Sequence, residues 1–255
     1  MKVLEGRHAL VTGGGRGIGA ASAAALCAAG ARVTVMGRTE EALRTVTATL
    51  PMTQAVVGDV CAAASVAAAL SQARNGFGPV DILINNAGAA ISAPFSKQTA
   101  DDLQRMLDVN LIGAWRCCQA VLPEMVTQGW GRIVTVASTA GLKAYGYVAG
   151  YVVAKHGAVG LTRALALEYA AKGVTVNAVC PGYTDTDMAR DSIDRIAAKT
   201  GRSAAESSAV LTRSNPQGRL TLPREVAAAV AWLCGPDAAA VNGVCLPIDG
   251  GETVA

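Results

Sequence analysis

Short runs of β-branched and other apolar residues recur along the chain, most of them leading into a longer alanine-rich stretch of helical composition. The runs are HALVTGG, ARVTVMG, TQAVVGDV, VDILINNAG, GRIVTVAS, VTVNAVCPG and, near the end, GVCLPID. Between them lie GAASAAALCAAG, TEEALRTVTATL, ASVAAALSQARNGFG, a stretch from 101 to about 128, another from about 149 to 171, and REVAAAVAWLCG. Strands that alternate with helices predict a parallel sheet joined by crossover helices. The strand runs are continuously apolar, as expected where helices cover both faces. No linker or composition break divides the 255 residues. The expectation is a single α/β domain, a doubly wound parallel sheet of about seven strands. Such sheets bind ligands at the carboxyl ends of their strands, so motifs just after a strand matter most.

Composition narrows the function classes. The chain is 51% hydrophobic and 16% charged, with a net charge of +3 and no basic run or repeat. Nucleic acid is therefore not the expected partner. The opening MKVLEGRHAL has charges where a secretory signal needs an apolar segment, and no continuous bulky run is long enough to span a membrane. The seven cysteines sit mostly singly in apolar surroundings without a C-x-x-C pair, which reads as buried thiols in a reducing compartment. The two histidines, His8 and His156, are isolated, so no metal site is expected. The chain reads as soluble and cytoplasmic.

LVTGGGRGIGAA follows the first strand and opens a helix. Glycines there let the backbone turn sharply and approach a pyrophosphate, which the helix N-terminus then meets with free N–H groups and partial positive charge. Gly15, Gly17 and Ala20 fit G-x-G-x-x-A, and Gly13, Gly17 and Gly19 fit G-x-x-x-G-x-G. Both spacings point to a dinucleotide; the plain alternative is a flexible turn. The acid expected about 20 residues later, which would hold an adenosine ribose, is missing: Gly37 stands there and Arg38 follows. An arginine can pair with a 2′-phosphate that a carboxylate would repel. Arg16 is a second candidate cation, and Glu40 and Glu41 complicate the electrostatics. The reading is NADP(H), with NAD(H) as the alternative and a solvated Arg38 as the plain one.

Three of the five tyrosines crowd into AYGYVAGYVVAK, residues 144–155. Only Tyr151 has a cation four residues on, Lys155, one helical turn away on the same face. A phenol with pKa about 10 needs roughly three units, about 4 kcal/mol, to act as a base near neutrality. An ammonium at about 4 Å in an effective dielectric near 20 supplies about that much. Tyr-x-x-x-Lys pairs are also common on ordinary helices. The strand run IVTVASTAG, however, leaves Ser138 and Thr139 at the sheet's carboxyl edge, with Ser138 thirteen positions before Tyr151.

Taken in order, TGGGRGIG, GDV, NNAG, VNLIGAW, ASTAG, YVVAK and NAVCPGYTDT resemble the short-chain dehydrogenase/reductase family over nearly the whole length. The resemblance implies a Rossmann fold and hydride transfer between a nicotinamide and a carbonyl or alcohol carbon. It implies Tyr151 as general acid/base, Lys155 on the nicotinamide ribose, Ser138 on the substrate oxygen, and Asn110 at a helix kink with a water of the proton relay. For the cofactor it implies Gly13, Gly15, Arg16, Gly17, Ile18 and Gly19 in the turn, with Arg38. Asp59 and Val60 would flank the adenine, and Asn86, Ala87 and Gly88 would lie on the adenosine side. Pro181, Gly182, Thr184 and Thr186 would meet the nicotinamide amide and phosphates. It also implies a homotetramer or dimer. Ala154 stands where many relatives carry serine.

Residues 188–219 would be the substrate lid of such an enzyme. Beyond Asp194 they carry Arg195, Lys199, Arg202 and Arg213 against Glu206. A cationic lid can meet the phosphates of coenzyme A or a phosphopantetheine carrier; the alternative is a solvated helical face. The pattern is similar to 3-oxoacyl carrier-protein reductases and 3-hydroxyacyl-CoA dehydrogenases, so the leading substrate is a 3-oxoacyl or 3-hydroxyacyl thioester. A free ketone, sugar or cyclic alcohol is the runner-up. A non-catalytic dinucleotide sensor is the remote alternative, since such forms typically lose the serine, tyrosine or lysine. Tyr145 and Tyr147 either pack on substrate or fill surface at a subunit contact.

Overall fold

The computed structural model describes residues 2–255. Seven strands form one parallel sheet: β1 (His8–Thr12), β2 (Arg32–Gly37), β3 (Thr53–Val57), β4 (Ile82–Asn85), β5 (Gly131–Val136), β6 (Val174–Pro181) and β7 (Cys245–Ile248). Their order is β3-β2-β1-β4-β5-β6-β7, so the winding reverses between β1 and β4. The register sets Leu10 beside Thr34 on one side and beside Leu83 on the other. The expected doubly wound sheet is thus present strand for strand.

Period-two alternation divides the apolar strand residues between two helical layers. Ala9, Val11, Val33, Val35, Ile82 and Ile84 face one way. There they meet α1 (Gly17–Ala28) and α9 (Pro223–Cys234). Leu10, Met36, Leu83 and Ile133 face the other way, toward α3 (Ala63–Phe77) and α5 (Gly113–Gln128). Both sides of the central strands are covered, which is why their sequence runs are continuously apolar. No described helix is long and apolar enough to cross a membrane.

The remaining helices are α2 (Glu40–Thr47), α4 (Ala100–Leu107), α6 (Ala149–Tyr169), α7 (Asp187–Thr200) and α8 (Ala204–Thr212). The helical stretch expected from 101 to 128 is interrupted at Asn110, the residue that the resemblance places at a helix kink. A π-turn over Asp108–Ile112 separates α4 from α5. Asn110 lies within it and donates its side-chain amide to the carbonyls of Met106 (3.0 Å) and Ala89 (2.9 Å). A side chain that takes an i−4 carbonyl competes with the helical ladder, which accounts for the widened turn.

Four of the five buried thiols give the fold a pH signature. Burial pushes Cys27 up to about 11 and Cys117, Cys118 and Cys234 up to about 12, from an ordinary 9.0. A raised folded-state pKa means that the native chain holds protons the unfolded chain releases. The stabilisation is complete below pH 9 and is lost as pH climbs toward 12. At pH 10 each thiol accounts for on the order of 1 kcal/mol of lost stability. Urea unfolding under reducing conditions is expected to show a steep loss between pH 9 and 11. Cys118→Ala should lower the pH slope by about one proton; an unchanged slope would refute the assignment.

Candidate active site

The carboxyl ends of β1, β4, β5 and β6 lie along one edge of the parallel sheet, with β1 and β4 flanking the reversal point. The glycine turn leaves β1 there. Gly13 and Gly17 both have positive φ, +63° and +54°. A Cβ on Gly19 would overlap the Gly13 carbonyl oxygen, whereas one on Gly15 would stand 3.2 Å from the Ala42 side chain. The turn therefore needs Gly13, Gly17 and Gly19 most strongly, which selects the G-x-x-x-G-x-G spacing. α1 begins at Gly17 with Arg16 as its cap residue and Ile18 in its first turn, and the Arg16 side chain forms no capping bond. The cleft above the turn is thus backbone-lined and open to a helix N-terminus, a combination that fits a pyrophosphate.

Asn86 and Ala87 brace this turn from β4. Asn86 donates its side-chain amide to the carbonyls of Thr12 (2.9 Å) and Gly13 (3.1 Å). The backbone N–H groups of Asn86 and Ala87 both donate to the Thr12 hydroxyl. Asn86 thus spends its amide on the turn itself, and Thr12 is a structural partner that sequence reasoning passed over. Asp59 accepts from the Cys61 N–H at 2.9 Å, and Val60 is buried against Gly113.

At the end of β2, Arg38 is exposed, and no ion pair to it exists among the described residues. Glu40 does not compete for it, since Glu40 accepts from Arg44 at 2.6 and 2.9 Å. A Cβ on Gly37 would meet only Leu43. Arg16 differs: its guanidinium lies 3.7 Å from Asp187 at the start of α7. A Cβ on Gly17 would touch Thr186, so the turn and the base of the 188–219 segment sit against each other. Thr184 donates to the Gly182 carbonyl and Thr186 to the Thr184 carbonyl, which folds the chain after Pro181 tightly over the sheet edge.

The polar cluster forms where β5 and α6 meet. Ser138 follows β5 and accepts from the Ala140 N–H at 3.1 Å. Tyr151 and Lys155 lie in the first turns of α6, as their spacing predicts. Lys155 is 5% exposed. Its ammonium donates to the Val136 carbonyl at 2.9 Å and stands 5.6 Å from the Tyr151 ring centroid. Asn110 is 3% exposed, and its Oδ1 has no partner. A Cβ on Gly88 would lie 2.9 Å from that oxygen and 3.9 Å from the Lys155 ammonium. Gly88 thus keeps open a gap between an orphaned acceptor and a buried cation. Water or a sugar hydroxyl fits such a gap.

The titration of the pair departs from the expectation. Burial pushes the Tyr151 phenol up to about 12, only partly opposed by hydrogen bonding with Ser138. Burial also brings Lys155 down to about 8. Both shifts disfavour the charged form, because desolvation is the largest cause of each. The chain alone therefore keeps Tyr151 protonated and suited to donate.

The other two tyrosines separate. Tyr147 is 68% exposed with φ +66°, and its carbonyl accepts from the Ala93 N–H. Tyr145 turns inward and donates its hydroxyl to Glu252 at 2.6 Å. No sequence signal marked Glu252. The 188–219 segment forms α7 and α8, with Arg195, Lys199, Arg202 and Arg213 all exposed. Glu206 is held in a capping box with Ser203. No group of three or more His, Cys, Asp or Glu is arranged to hold a metal among the described residues.

Comparison with known proteins gives consistent matches. The family model for short chain dehydrogenase matches residues 7–197. The levodione reductase of Leifsonia aquatica is 37% identical over 98% of this chain and 95% of its own. The 3-oxoacyl-[acyl-carrier-protein] reductase FabG of Escherichia coli is 35% identical over 97% of this chain and 98% of its own. The crystal structure of a single-residue variant of actinorhodin polyketide ketoreductase with NADPH superposes with a TM-score of 0.94 at 38% identity, covering 98% of each chain.

Proposed function

The chain belongs to the short-chain dehydrogenase family and is an oxidoreductase of that family, and from that premise we propose that it reduces the carbonyl of a 3-oxoacyl thioester with NADPH. The carrying observation is the cluster at the β5–α6 junction, where Ser138 hydrogen-bonds Tyr151, Lys155 stands beside the Tyr151 ring, and Asn110 and Lys155 flank the gap at Gly88.

The dinucleotide, when bound, supplies the hydride; the residues supply the rest. Ser138 donates to the substrate oxygen and orients it. Tyr151, kept neutral by burial, gives that oxygen its proton. Lys155 holds a ribose hydroxyl and its positive charge biases the phenol toward release. Asn110 offers its free Oδ1 to a water that carries the next proton in. Gly13, Gly15, Gly17, Ile18 and Gly19 hold the pyrophosphate, Asp59, Val60, Asn86, Ala87 and Gly88 the adenosine side, and Pro181, Gly182, Thr184 and Thr186 the nicotinamide side.

Arg38 selects the 2′-phosphate, since it is exposed and unpaired directly after Gly37, the position where a carboxylate would otherwise stand. Arg16 joins it by exchanging Asp187 for the phosphate. Arg38→Ala is expected to weaken NADPH binding about ten- to a hundredfold, the worth of a charge-assisted contact, and to leave NADH binding unchanged. Fluorescence titration with both cofactors checks this, and equal losses for the two would remove the role.

Support for a thioester comes from similarity to the 3-oxoacyl reductase and from the exposed cations Arg195, Lys199, Arg202 and Arg213. A second reading, a free or cyclic ketone, draws on the similarity to levodione reductase. NADPH oxidation with acetoacetyl-CoA, its N-acetylcysteamine analogue and a panel of cyclic ketones separates the two. A clear preference for the CoA ester favours the first; indifference to the CoA portion removes the lid argument. No turnover of any carbonyl would overturn the assignment. The same reading has the chain working as a homotetramer or dimer in the cytoplasm. Exposed Leu103, Trp115, Val153 and Leu167 on α4, α5 and α6 offer apolar surface to a second copy.

A further inference from the structure

Glu252 is an acid with 2% exposure, just beyond β7, and no step above uses it. A carboxylate buried that deeply is costly unless its oxygens are satisfied. Its Oε1 accepts from the Tyr145 hydroxyl at 2.6 Å and lies 3.9 Å from the Lys143 ammonium. Lys143 also donates to the Glu252 backbone carbonyl at 2.7 Å. Its Oε2 lies against the turn after β6: a Cβ on Gly182 would approach it to 2.9 Å. Neighbouring Tyr183 feels the same acid, since burial and then the Glu252 charge raise its phenol above the ordinary range.

The tail holding this carboxylate is itself clamped. Gly250 and Gly251 have φ of +65° and +95°, and a Cβ on Gly250 would overlap the Asn215 side chain at the far end of the lid. Asp249 accepts from the Thr253 N–H and hydroxyl at 2.9 and 2.7 Å, closing the tail on itself. Three segments therefore converge on one short stretch: the loop from Ser138 toward Tyr151, the turn after β6, and the far end of the lid.

We propose that Glu252 is a positioning residue for this reaction, holding the substrate loop through Tyr145 against the Gly182 turn. This rests on the roles given above to Ser138 and Tyr151. The Tyr145 hydroxyl is thereby committed to the acid, and the Lys143 ammonium stands 5.4 Å from its ring centroid. The loop between the two reacting side chains is fixed from outside the α6 helix.

The test has one readout independent of turnover and one dependent on it. Amide hydrogen exchange is compared in the full-length protein, Glu252→Ala, Glu252→Gln and Tyr145→Phe. Glu252→Ala and Tyr145→Phe are expected to speed exchange across residues 142–148 about tenfold, with β1 and β5 unchanged. Glu252→Gln, whose amide oxygen still accepts from Tyr145, should stay within about twofold of the parent. With acetoacetyl-CoA or whichever ketone the parent reduces best, Glu252→Ala should raise KM about tenfold. Its kcat and NADPH affinity should move less than about twofold, and the Glu252→Ala/Tyr145→Phe double variant should add nothing further. Unchanged exchange in Glu252→Ala, a uniform rise that includes β1 and β5, or fully additive effects would each overturn the proposal. If the parent reduces no ketone, the functional assignment fails, and the exchange data still decide the role of Glu252.

Discussion

Tyr151→Phe is expected to lower kcat for carbonyl reduction at least about a thousandfold while leaving the NADPH dissociation constant within about twofold. The substitution keeps the ring in its place on α6 and removes one oxygen. A loss confined to kcat therefore reports the missing proton donor rather than altered packing. The titration of the site adds a pH signature. Because burial holds the phenol near 12, Tyr151 stays protonated across the working range. The group that changes state is Lys155, near 8. With the ammonium required, kcat/KM for reduction should be flat below pH 8 and decline above it. A Tyr151→Phe enzyme that retained a tenth of the parent activity would sink the mechanism.

The second large effect has opposite signs for activity and stability. Lys155→Met keeps the aliphatic stem and discards the charge. It should weaken dinucleotide binding about ten- to a hundredfold, through lost charge-assisted hydrogen bonds, and reduce kcat by a comparable factor. The same change should stabilise the fold at neutral pH. The Lys155 pKa in the folded chain is depressed from 10.5 to about 8, so below pH 8 the native state carries an ammonium at a desolvation cost. That cost fades as pH rises from 8 to 10.5, where the folded chain loses its proton before the unfolded one does. Removing the charge is worth about 1–3 kcal/mol at pH 7, less whatever the bond to the Val136 carbonyl contributes. Chemical denaturation at pH 7 measures it. A destabilised Lys155→Met protein would mean that the ammonium is not held against its own solvation.

Much of the site is legible in the chain as written. The strand–turn–helix pattern puts Gly13 to Gly19 at the mouth of β1, and the four-residue spacing puts Tyr151 and Lys155 on one face of α6. These are local regularities, set by backbone sterics and by the 3.6-residue period. The glycine turn is legible only as two overlapping spacings; steric approach to Gly13 and Asn86 decides between them. Composition alone reads 101 to 128 as one helical stretch; the kink at Asn110 is legible only through the family resemblance, since nothing local announces that Asn110 reaches the Ala89 carbonyl, 21 residues away.

Local pattern was enough for the succession of strands and helices, the open cleft over the first turn, and the residue types able to move a proton. Those follow from propensities and from side-chain periodicity along a short stretch. The direction of the titration came only with the packed molecule, because desolvation depends on everything placed around Tyr151 and Lys155. So did the meeting of Glu252 with Tyr145 across 107 residues. Contacts of that kind arise when the sheet closes, and no local window of the chain contains both partners.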